Sequence, residues 1–361
     1  MIGRREFIAF LGSAAAGLPL AAYAQQSAPP SLVRQDWLDR RKEPILEPEL
    51  PIVDPHHHLF VVPGWRYLLD EFLLDTSTGH NIIATVFVQA RSMYRASGPI
   101  EMRPIGEVEF ANGIAAICAS GYCGKTKVAA GIVGQADLTL GSRVEPVLAA
   151  LMRASGDRFR GIRYITAWDA DTSLIRSNFT APPGLLADKT FREGFAVLSC
   201  LGLSFDALVL HPQLDDVANL ARAFPDTKIV LNHVGRPVGK LNEVFPRWAA
   251  SIKALASHEN CYIKVGGFGA DLYGLGFEKQ AEPPSSEMVA NAARPYVETC
   301  IEAFGTRRSM FESNFPIDKV GYSYPIFWNA CKLLTRGAGV TETADLFAGT
   351  AARFYRLTGI G

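Results

Sequence analysis

The sequence predicts one α/β domain in which eight parallel strands close into a (β/α)8 barrel. Short apolar segments rich in β-branched residues alternate with amphipathic helical segments, which is typical of a parallel sheet covered by helices. Eight such segments occur in a chain of 361 residues. Eight strands in one domain favour a closed barrel over an open sheet, and barrels commonly use this length as a single domain.

The elements follow one another in regular order. Strands are expected at residues 51–56, 82–88, 128–133, 161–165, 204–210, 228–231, 262–265 and 309–311. The clearest helices between them are expected at residues 144–154, 191–201, 214–224, 248–257 and 286–304. An open dinucleotide-binding sheet is the rival fold, but no Gly-x-Gly-x-x-Gly motif opens a helix after a predicted strand. No nucleotide cofactor is therefore expected.

The charge balance and the long loops indicate which kind of partner the protein binds. The 36 basic and 36 acidic residues balance, so no global field favours nucleic acid or an anionic membrane as a partner. Two long irregular segments, 91–104 and 267–284, follow the second and seventh predicted strands. Barrel active sites are built from the segments that follow strands, so both are expected to contact a small-molecule substrate.

Residues 1–24 have the pattern of an export signal. Arg4 and Arg5 precede an alanine-rich apolar stretch, and residues 22–24 give the small-x-small pattern of a cleavage site. The arginine pair resembles a twin-arginine export signal. A membrane anchor is the alternative, but the apolar stretch is shorter than the roughly 20 residues that a membrane span needs. We expect the twin-arginine machinery to export the protein to the periplasm or the medium, with no stable membrane span after cleavage. Residues 25–50 are expected to form an arm, and residues 51–361 the barrel domain.

Asp54, His56 and His58 come together at the end of the first predicted strand. Alternate residues of an extended strand share a face, so these three side chains are expected to point one way and His57 the other. Two imidazoles at this spacing can bind one divalent ion, as in hydrolytic metal sites. A histidine run on a surface turn is the alternative, but the preceding strand is apolar. We expect His56 and His58 to be ligands of zinc or manganese.

Two further histidines follow predicted strands. His211 ends the apolar run 207–210, and His233 follows the run 229–232. A single histidine at such a place is often only a hydrogen-bonded polar residue, whereas histidines at the ends of three strands together indicate a site. His233 is expected to orient the substrate or move a proton, and His211 to bind the substrate.

Acidic and amide side chains follow the eighth predicted strand. A carboxylate there can bind a metal or accept a proton from an attacking water, and Glu312 and Asp318 are the available acids. Asn314, between them, can only form hydrogen bonds. We expect Asp318 to be the catalytic base, with Glu312 as the second candidate and Asn314 close to the reacting groups.

Arg163 and Lys264 lie inside the fourth and seventh predicted strands. A basic residue within an apolar strand is costly unless it is paired. Both are therefore expected to bind a substrate carboxylate or lactone oxygen, Arg163 through its two-pronged guanidinium. Structural ion pairs within the barrel are the alternative.

With these residues placed, the chain resembles the amidohydrolase superfamily. It is most similar to the amidohydrolase-related branch, which includes 2-pyrone-4,6-dicarboxylate lactonase and fuconolactonase-like enzymes. The resemblance covers about residues 51–357, and its motifs are residues 53–59, 129–138, 159–163, 229–235 and 310–316. It implies a distorted TIM barrel that hydrolyses lactones or similar cyclic esters, with decarboxylation elsewhere in the branch. It also implies that His56 and His58 form the strand-one pair and that His233 is the strand-six histidine.

The sequence departs from this branch at the eighth strand. Related enzymes have Ser-Asp-Trp-Pro there, with the Asp as metal ligand or base, whereas this chain has Asn314 at the position of the Asp. Asp318 can substitute if the chain turns it back into the mouth of the barrel. The lactonase members act without a tightly bound metal, so the resemblance leaves the ion open.

These observations predict a hydrolase that opens a lactone or similar cyclic ester of a small anionic acid with activated water. Two alternatives stay open. The first is metal-dependent, non-oxidative decarboxylation of an aromatic acid. The second is an exported barrel that has lost catalysis and only binds a ligand, an alternative raised by Asn314.

Overall fold

The fold is described from a computed structural model. The structure describes residues 33–175, 180–239, 241–270 and 274–360. The predicted export signal, residues 1–24, lies outside these residues, as does the beginning of the predicted arm. Within the described part of the chain, no helix is both long and apolar enough to cross a membrane.

Eight parallel strands form one sheet that closes into a barrel, which confirms the predicted fold class. Numbered in chain order, the strands are β1 (Pro51–His57), β2 (Phe60–Val62), β3 (Trp65–Tyr67), β4 (Asn81–Val88), β5 (Lys127–Gly134), β6 (Phe159–Ile162), β7 (Ser204–Ala207), β8 (Ile229–Leu231), β9 (Cys261–Val265) and β10 (Ser309–Phe311). The barrel sheet has the order β1-β4-β5-β6-β7-β8-β9-β10, and β2 and β3 form a separate antiparallel hairpin.

The barrel closes just beyond the end of β10. The backbone N–H of Asn314 donates to the carbonyl of His56 over 2.9 Å, and that of His58 donates to the carbonyl of Phe315 over 2.8 Å. A parallel bridge between His57 and Phe315 belongs to the same seam. The last strand therefore joins the first through the segment that also contains the predicted catalytic residues.

Helices surround the barrel and cover its outer face. They are α1 (Gln35–Leu38), α2 (Leu69–Thr76), α3 (Ile105–Ala119), α4 (Glu145–Ala154), α5 (Lys189–Cys200), α6 (Leu214–Ala223), α7 (Leu241–Ala256), α8 (Ser286–Phe304), α9 (Tyr324–Leu334), α10 (Val340–Ala344) and α11 (Thr350–Phe354). Asp188 caps α5 by accepting from the N–H of Phe191, and Ser285 caps α8 by accepting from that of Met288. Helix α7 begins earlier than predicted and contains Pro246, which cannot donate a backbone hydrogen bond.

The core lies between the strands and the helices. Phe191 and Phe195 of α5 pack with Phe205 of β7, with ring centroids 5.2–6.4 Å apart, and all three are fully buried. Such aromatic contacts fix the outer face of a strand against its helix. The inner face of the barrel is thereby left for the polar side chains described below.

The described part of the arm is docked on the carboxyl-terminal half of the barrel. The indole of Trp37 donates to the carbonyl of Ala281, and the guanidinium of Arg41 donates to that of Pro283. Lys332 of α9 donates to the carbonyls of Leu46 and Glu47. The arm is thus attached both to α9 and to the segment that follows β9.

Candidate active site

Three buried side chains meet at the carboxyl ends of the strands. They are His56 of β1, His233 directly after β8 and Glu312 directly after β10. One nitrogen of each histidine and one carboxylate oxygen all lie within 4.8 Å of one another. Nδ1 of His233 is 2.8 Å from Oε1 of Glu312, and Nδ1 of His56 is 2.5 Å from Oε2. We call these three residues the His–His–Glu cluster.

Two glycines after β9 make room for this cluster. A Cβ atom on Gly266 would lie 2.2 Å from the carbonyl oxygen of Glu312, and one on Gly267 would lie 2.6 Å from Cβ of His233. Neither distance is sterically allowed. The end of β9 can therefore pack directly against both residues only because it lacks side chains there.

His233 begins a turn whose backbone is left-handed. The φ angles are 53° at His233, 47° at Val234, 73° at Gly235 and 44° at Arg236. L-residues avoid this region at a cost of roughly 1–2 kcal/mol each, so the turn must be stabilised by its surroundings. Glu312 accepts from the N–H of His233 over 2.8 Å, and the indole of Trp248 donates to the carbonyl of Val234 over 2.7 Å.

His211 also stabilises this turn and lies outside the His–His–Glu cluster. Its backbone N–H donates to the carbonyl of Arg236 over 3.2 Å, and its Nδ1 accepts from the N–H of Val238 over 3.2 Å. Both bonds reach the carboxyl-terminal end of the turn. The contacts of the ring are those of a residue that fixes the loop after β8; the predicted contact with substrate stays a prediction.

The histidines at the end of β1 and just after it alternate as expected. His57 points outward, where its ring stacks on Phe72 with centroids 4.2 Å apart and its Nε2 lies 2.9 Å from the hydroxyl of Thr85. His58 points inward, with its ring centroid 4.9 Å from that of His56. Its Nδ1 lies 2.7 Å from the carbonyl of Val88, so this nitrogen carries the proton and Nε2 has the lone pair. His58 thus lies beside the His–His–Glu cluster without belonging to it.

Asp54 joins the two ends of the barrel seam. Its carboxylate accepts from the backbone N–H of Ser313 over 3.1 Å, from the Ser313 hydroxyl over 2.6 Å and from the hydroxyl of Tyr324 over 3.0 Å. A fourth, longer bond comes from the N–H of His56. Burial nevertheless raises the pKa of Asp54 to about 6. This acid therefore positions the segment after β10 and has no free oxygen for chemistry.

Lys264 forms a structural ion pair inside the barrel. Its ammonium donates to Asp206 of β7 over 2.7 Å and to the carbonyl of Pro55 over 2.8 Å, and both charged side chains are fully buried. The hydroxyl of Tyr355 also donates to Asp206. The ammonium lies 3.3 Å from Nδ1 of His56, so it contributes a positive charge beneath the cluster.

Arg163 lies on the opposite side of His56. One guanidinium nitrogen is 3.1 Å from Nε2 of His56, and the other donates to the carbonyl of Gln89. Nε is buried without a hydrogen-bond partner, and burial lowers the pKa of the side chain to about 10. The guanidinium therefore remains a cation at neutral pH, next to the histidines.

Asn314 and Asp318 form a network of their own. The side-chain amide of Asn314 donates to Asp318 over 2.7 Å, and the other carboxylate oxygen accepts from the N–H of Gly269 over 3.0 Å and from the hydroxyl of Tyr322 over 2.7 Å. Burial raises the pKa of Asp318 to about 7. With both oxygens bound to protein donors, Asp318 resembles a structural acid. The geometry favours Glu312, the second candidate in the sequence, as the acid at the reacting centre.

Burial sets the charge state of the cluster. It lowers the pKa of His56, with Lys264 as the next cause, and that of His233, with Arg236 as the next cause. It raises the pKa of Glu312 to about 7, against the opposing effect of Lys264. Both imidazoles are therefore neutral at pH 7, which is the form that binds metal ions and accepts protons.

The donor set of the cluster fits a divalent ion. Nε2 of His233 is buried without a hydrogen-bond partner, and Oε2 of Glu312, also without a hydrogen bond, lies 2.5 Å from Nδ1 of His56. Buried polar atoms are rarely left unpaired. Two imidazoles and one carboxylate are also the ligands of many hydrolytic zinc sites.

Glu107 of α3 organises the loop after β4 on the same rim. One carboxylate oxygen accepts from the N–H groups of Ala90 and Ser92 over 2.8 and 3.0 Å. The other oxygen is buried without a hydrogen-bond partner. Arg91 and Met93 have left-handed φ angles of 57° and 56°, so the loop is held in a strained conformation.

Replacing Glu107 by glutamine should stabilise the protein at high pH. Burial raises the pKa of Glu107 from 4.5 to about 7, so the folded state binds this proton more tightly than the unfolded state. The stability that the proton contributes is lost as the pH rises through 4.5 to 7, whereas the amide does not titrate. We expect the variant and wild type to have similar free energies of unfolding in urea at pH 4.5. At pH 8 we expect the variant to be more stable by about 3 kcal/mol. If the difference in unfolding free energy between the variant and wild type were the same at both pH values, Glu107 would not carry an uncompensated buried charge.

A small pocket opens beside His233. Its volume is ≈ 10 Å³, about the space of one water molecule, and its walls include Val234, Arg236, Phe268, Leu275 and Tyr296. Most of these side chains are apolar, and the pocket lies between the turn after β8 and the segment after β9.

Buried histidines, a carboxylate and cations lie together at the carboxyl ends of the strands of this closed barrel. This arrangement is that of a barrel enzyme. A model of the amidohydrolase family matches residues 53–357, and the chain belongs to this family. It is therefore a hydrolase of the amidohydrolase superfamily.

Individual relatives agree with this assignment. The protein y4mH of Sinorhizobium fredii, which is uncharacterized, is 31% identical over 331 residues, or 86% of this chain and 99% of the relative. An L-fucono-1,5-lactonase of Burkholderia multivorans is 26% identical over 243 residues, or 65% of this chain and 74% of the relative. A zinc-bound amidohydrolase crystal structure, also from Burkholderia multivorans, has a TM-score of 0.65 at 24% identity and covers 85% of this chain and 99% of its own. That structure shares the fold.

Two residues of the site, Asp206 and Tyr355, are missing from the sequence prediction. Asp206 had a usable signal, because it is an acid inside the apolar strand β7, just as Lys264 is a base inside β9. Tyr355 lies after α11 and had no such signal. The structure otherwise brings together most of the predicted site residues, namely His56, His58, Arg163, His233 and Lys264.

Proposed function

We propose that the protein opens a lactone or similar cyclic ester of a small anionic acid. The observation that supports this most directly is the pairing of His233 with Glu312. Nδ1 of His233 donates to the carboxylate, so Nε2 has the lone pair, and this atom is buried without a partner. A histidine oriented by a carboxylate in this way is suited to accept a proton from water.

The reaction follows from this geometry. Nε2 of His233 takes a proton from a water molecule as the water oxygen forms a bond with the ester carbonyl carbon. Glu312 keeps the ring in the required tautomer and stabilises the imidazolium that forms. The acyl–oxygen bond then breaks, and His233 returns the proton to the alkoxide at the other end of the opened ring. Water is consumed, and one hydroxy acid is released.

Arg163 provides positive charge for the oxygen that becomes negative. Its guanidinium lies beside His56 and faces the same buried space. Fixed cations in a buried site stabilise developing charge more strongly than water does. Zinc or manganese at His56, His233 and Glu312 would polarise the carbonyl and acidify water when bound. Nε2 of His233 would then be a metal ligand, so it accepts the water proton only in the protein without the ion.

A panel of lactones tests the proposed function. Five- and six-membered lactones, with and without a carboxylate, are incubated with the purified protein. The protein is used as isolated, after chelation, and after addition of Zn²⁺ or Mn²⁺. Ring opening is followed by the acid that it releases, and bound metal is measured in parallel. We expect turnover of at least one lactone class. Release of CO₂ from aromatic acids without lactone opening would support the decarboxylase alternative, and binding without any turnover would support the ligand-binding barrel.

A further inference from the structure

We propose that the N-terminal arm positions the active site, because it holds the segment after β9 in place beside the His–His–Glu cluster. The part of the arm that acts is residues 33–47, and the segment is residues 266–270 and 274–285. Trp37 and Arg41 are the positioning residues, since both donate hydrogen bonds to the backbone of the segment. The expected effect on turnover rests on the proposed function, whereas the hold on the segment does not.

The inner end of the segment packs against His233. A Cβ atom on Gly267 would lie 2.6 Å from Cβ of this histidine, and Phe268 and Leu275 are walls of the small pocket beside it. The N–H of Leu275 donates to the carbonyl of Phe268 over 2.9 Å, so the two parts of the segment are joined. A shift of the segment would therefore change the surroundings of the nitrogen proposed to activate water.

The outer end of the segment is held by the arm. The indole of Trp37 donates to the carbonyl of Ala281 over 3.0 Å, and Nε of Arg41 donates to that of Pro283 over 3.3 Å. Trp37 is only 2% exposed, and a buried indole makes one of the largest apolar contacts available to a side chain. Because both acceptors are main-chain carbonyls, the two bonds fix the path of the backbone.

Phe277 lies between the two ends and connects them to the loop after β10. Its buried ring meets that of Tyr322 edge to face, with centroids 6.4 Å apart. The hydroxyl of Tyr322 and the N–H of Gly269 donate to the same oxygen of Asp318, over 2.7 and 3.0 Å. The contacts thus run without a break from the arm to the rim of the barrel, as energetic coupling through packed groups requires.

The arm should act on substrate binding more than on the chemical step. If the arm is loosened, the segment occupies its position beside His233 for only a fraction of the time. The apparent affinity for a molecule that needs the segment in place falls by that fraction, whereas a saturating substrate restores it. KM should therefore rise while kcat is retained. General loss of folded protein would instead lower kcat and leave KM unchanged.

The variants Trp37→Ala and Arg41→Met test this with a lactone that the wild-type protein opens. We expect KM to rise about tenfold in Trp37→Ala and about threefold in Arg41→Met, with kcat within about threefold of wild type in both. Trp37→Phe keeps much of the apolar contact without the indole N–H, so its KM should be intermediate. If Trp37→Ala fails to fold, Trp37→Phe and Arg41→Met decide. A KM equal to that of wild type in the folded variants would overturn the proposal.

The matched control is Arg40→Met. Arg40 is the neighbour of Arg41 in the arm, but its guanidinium lies 3.5 Å from the exposed side chain of Glu282. Exposed ion pairs contribute little, so we expect KM to stay within about twofold of wild type. An equal rise of KM in Arg40→Met and Arg41→Met would refute positioning through the backbone of the segment, because loss of charge alone would explain it.

Limited proteolysis separates this proposal from the hydrolysis itself. Trypsin can cut after Lys279, an exposed residue of the segment, and after Lys125, an exposed residue before β5. Because cleavage follows local opening, we expect it to be about tenfold faster after Lys279 in Trp37→Ala and unchanged after Lys125. Faster cleavage after Lys279 without turnover of any lactone would refute hydrolysis and retain the role of the arm. Turnover with unchanged KM and unchanged cleavage would refute the role of the arm and retain hydrolysis.

Discussion

Replacing Glu312 by glutamine should lower kcat/KM for lactone opening by about 10²–10⁴-fold in a protein that remains folded. The amide has the shape of the acid, and its oxygen can still accept from the backbone N–H and Nδ1 of His233. It cannot carry the negative charge that stabilises the imidazolium during proton transfer. The loss should therefore appear mainly in kcat.

Asp318→Asn is the informative comparison, because Asp318 is the other acid of the same segment. Its two oxygens already accept from Asn314, Gly269 and Tyr322. We expect activity within about tenfold of wild type, with the folded state of both variants checked by near-UV circular dichroism. If Asp318→Asn lost activity while Glu312→Gln retained it, the base would be Asp318, as first expected from the sequence.

Replacing Lys264 by methionine should destabilise the protein by about 3–5 kcal/mol. The substitution removes the ammonium and leaves the carboxylate of Asp206 inside the barrel, with only Asn232 and Tyr355 as donors. An unpaired buried charge loses its hydration without compensation. Urea unfolding at constant pH measures the change in the free energy of unfolding.

Two further variants calibrate this result. Lys279→Met removes an exposed ammonium, 3.8 Å from Glu278, and should change the free energy of unfolding by less than about 1 kcal/mol. The double variant Lys264→Met with Asp206→Leu removes both charges and should recover part of the loss. A loss below about 1 kcal/mol in Lys264→Met alone would mean that the ion pair contributes little to the fold.

The barrel strands were predictable because burial on both faces gives each one a distinct apolar run. Observed β10 (Ser309–Phe311) coincides with its prediction, and β5 (Lys127–Gly134) differs by one residue at each end. The hairpin of β2 and β3 was not predicted, since strands of three residues give too short a pattern. The predictions for β6 and β7 ran past the observed ends, because apolar residues continue into the loops at the barrel mouth.

The site was less predictable than the fold, for a geometric reason. Strand alternation identified His56 and His58, because the period of two relates neighbouring residues on one strand. The choice between Glu312 and Asp318 depends on how the chain turns after β10, and that turn is set by contacts with β1 and with the segment after β9. Such contacts join distant parts of the chain and leave no periodic pattern in the sequence.

The seam between β1 and β10 has a consequence for biogenesis. His56 and Glu312 come from opposite ends of the domain, and the hydrogen bonds of Asp54 and Asn314 that close the ring also bring these two residues together. A nascent or partly folded chain therefore keeps the histidines and the acid of the proposed site apart. The proposed site is complete only after this closure, so the appearance of activity during refolding would time the last step of barrel assembly.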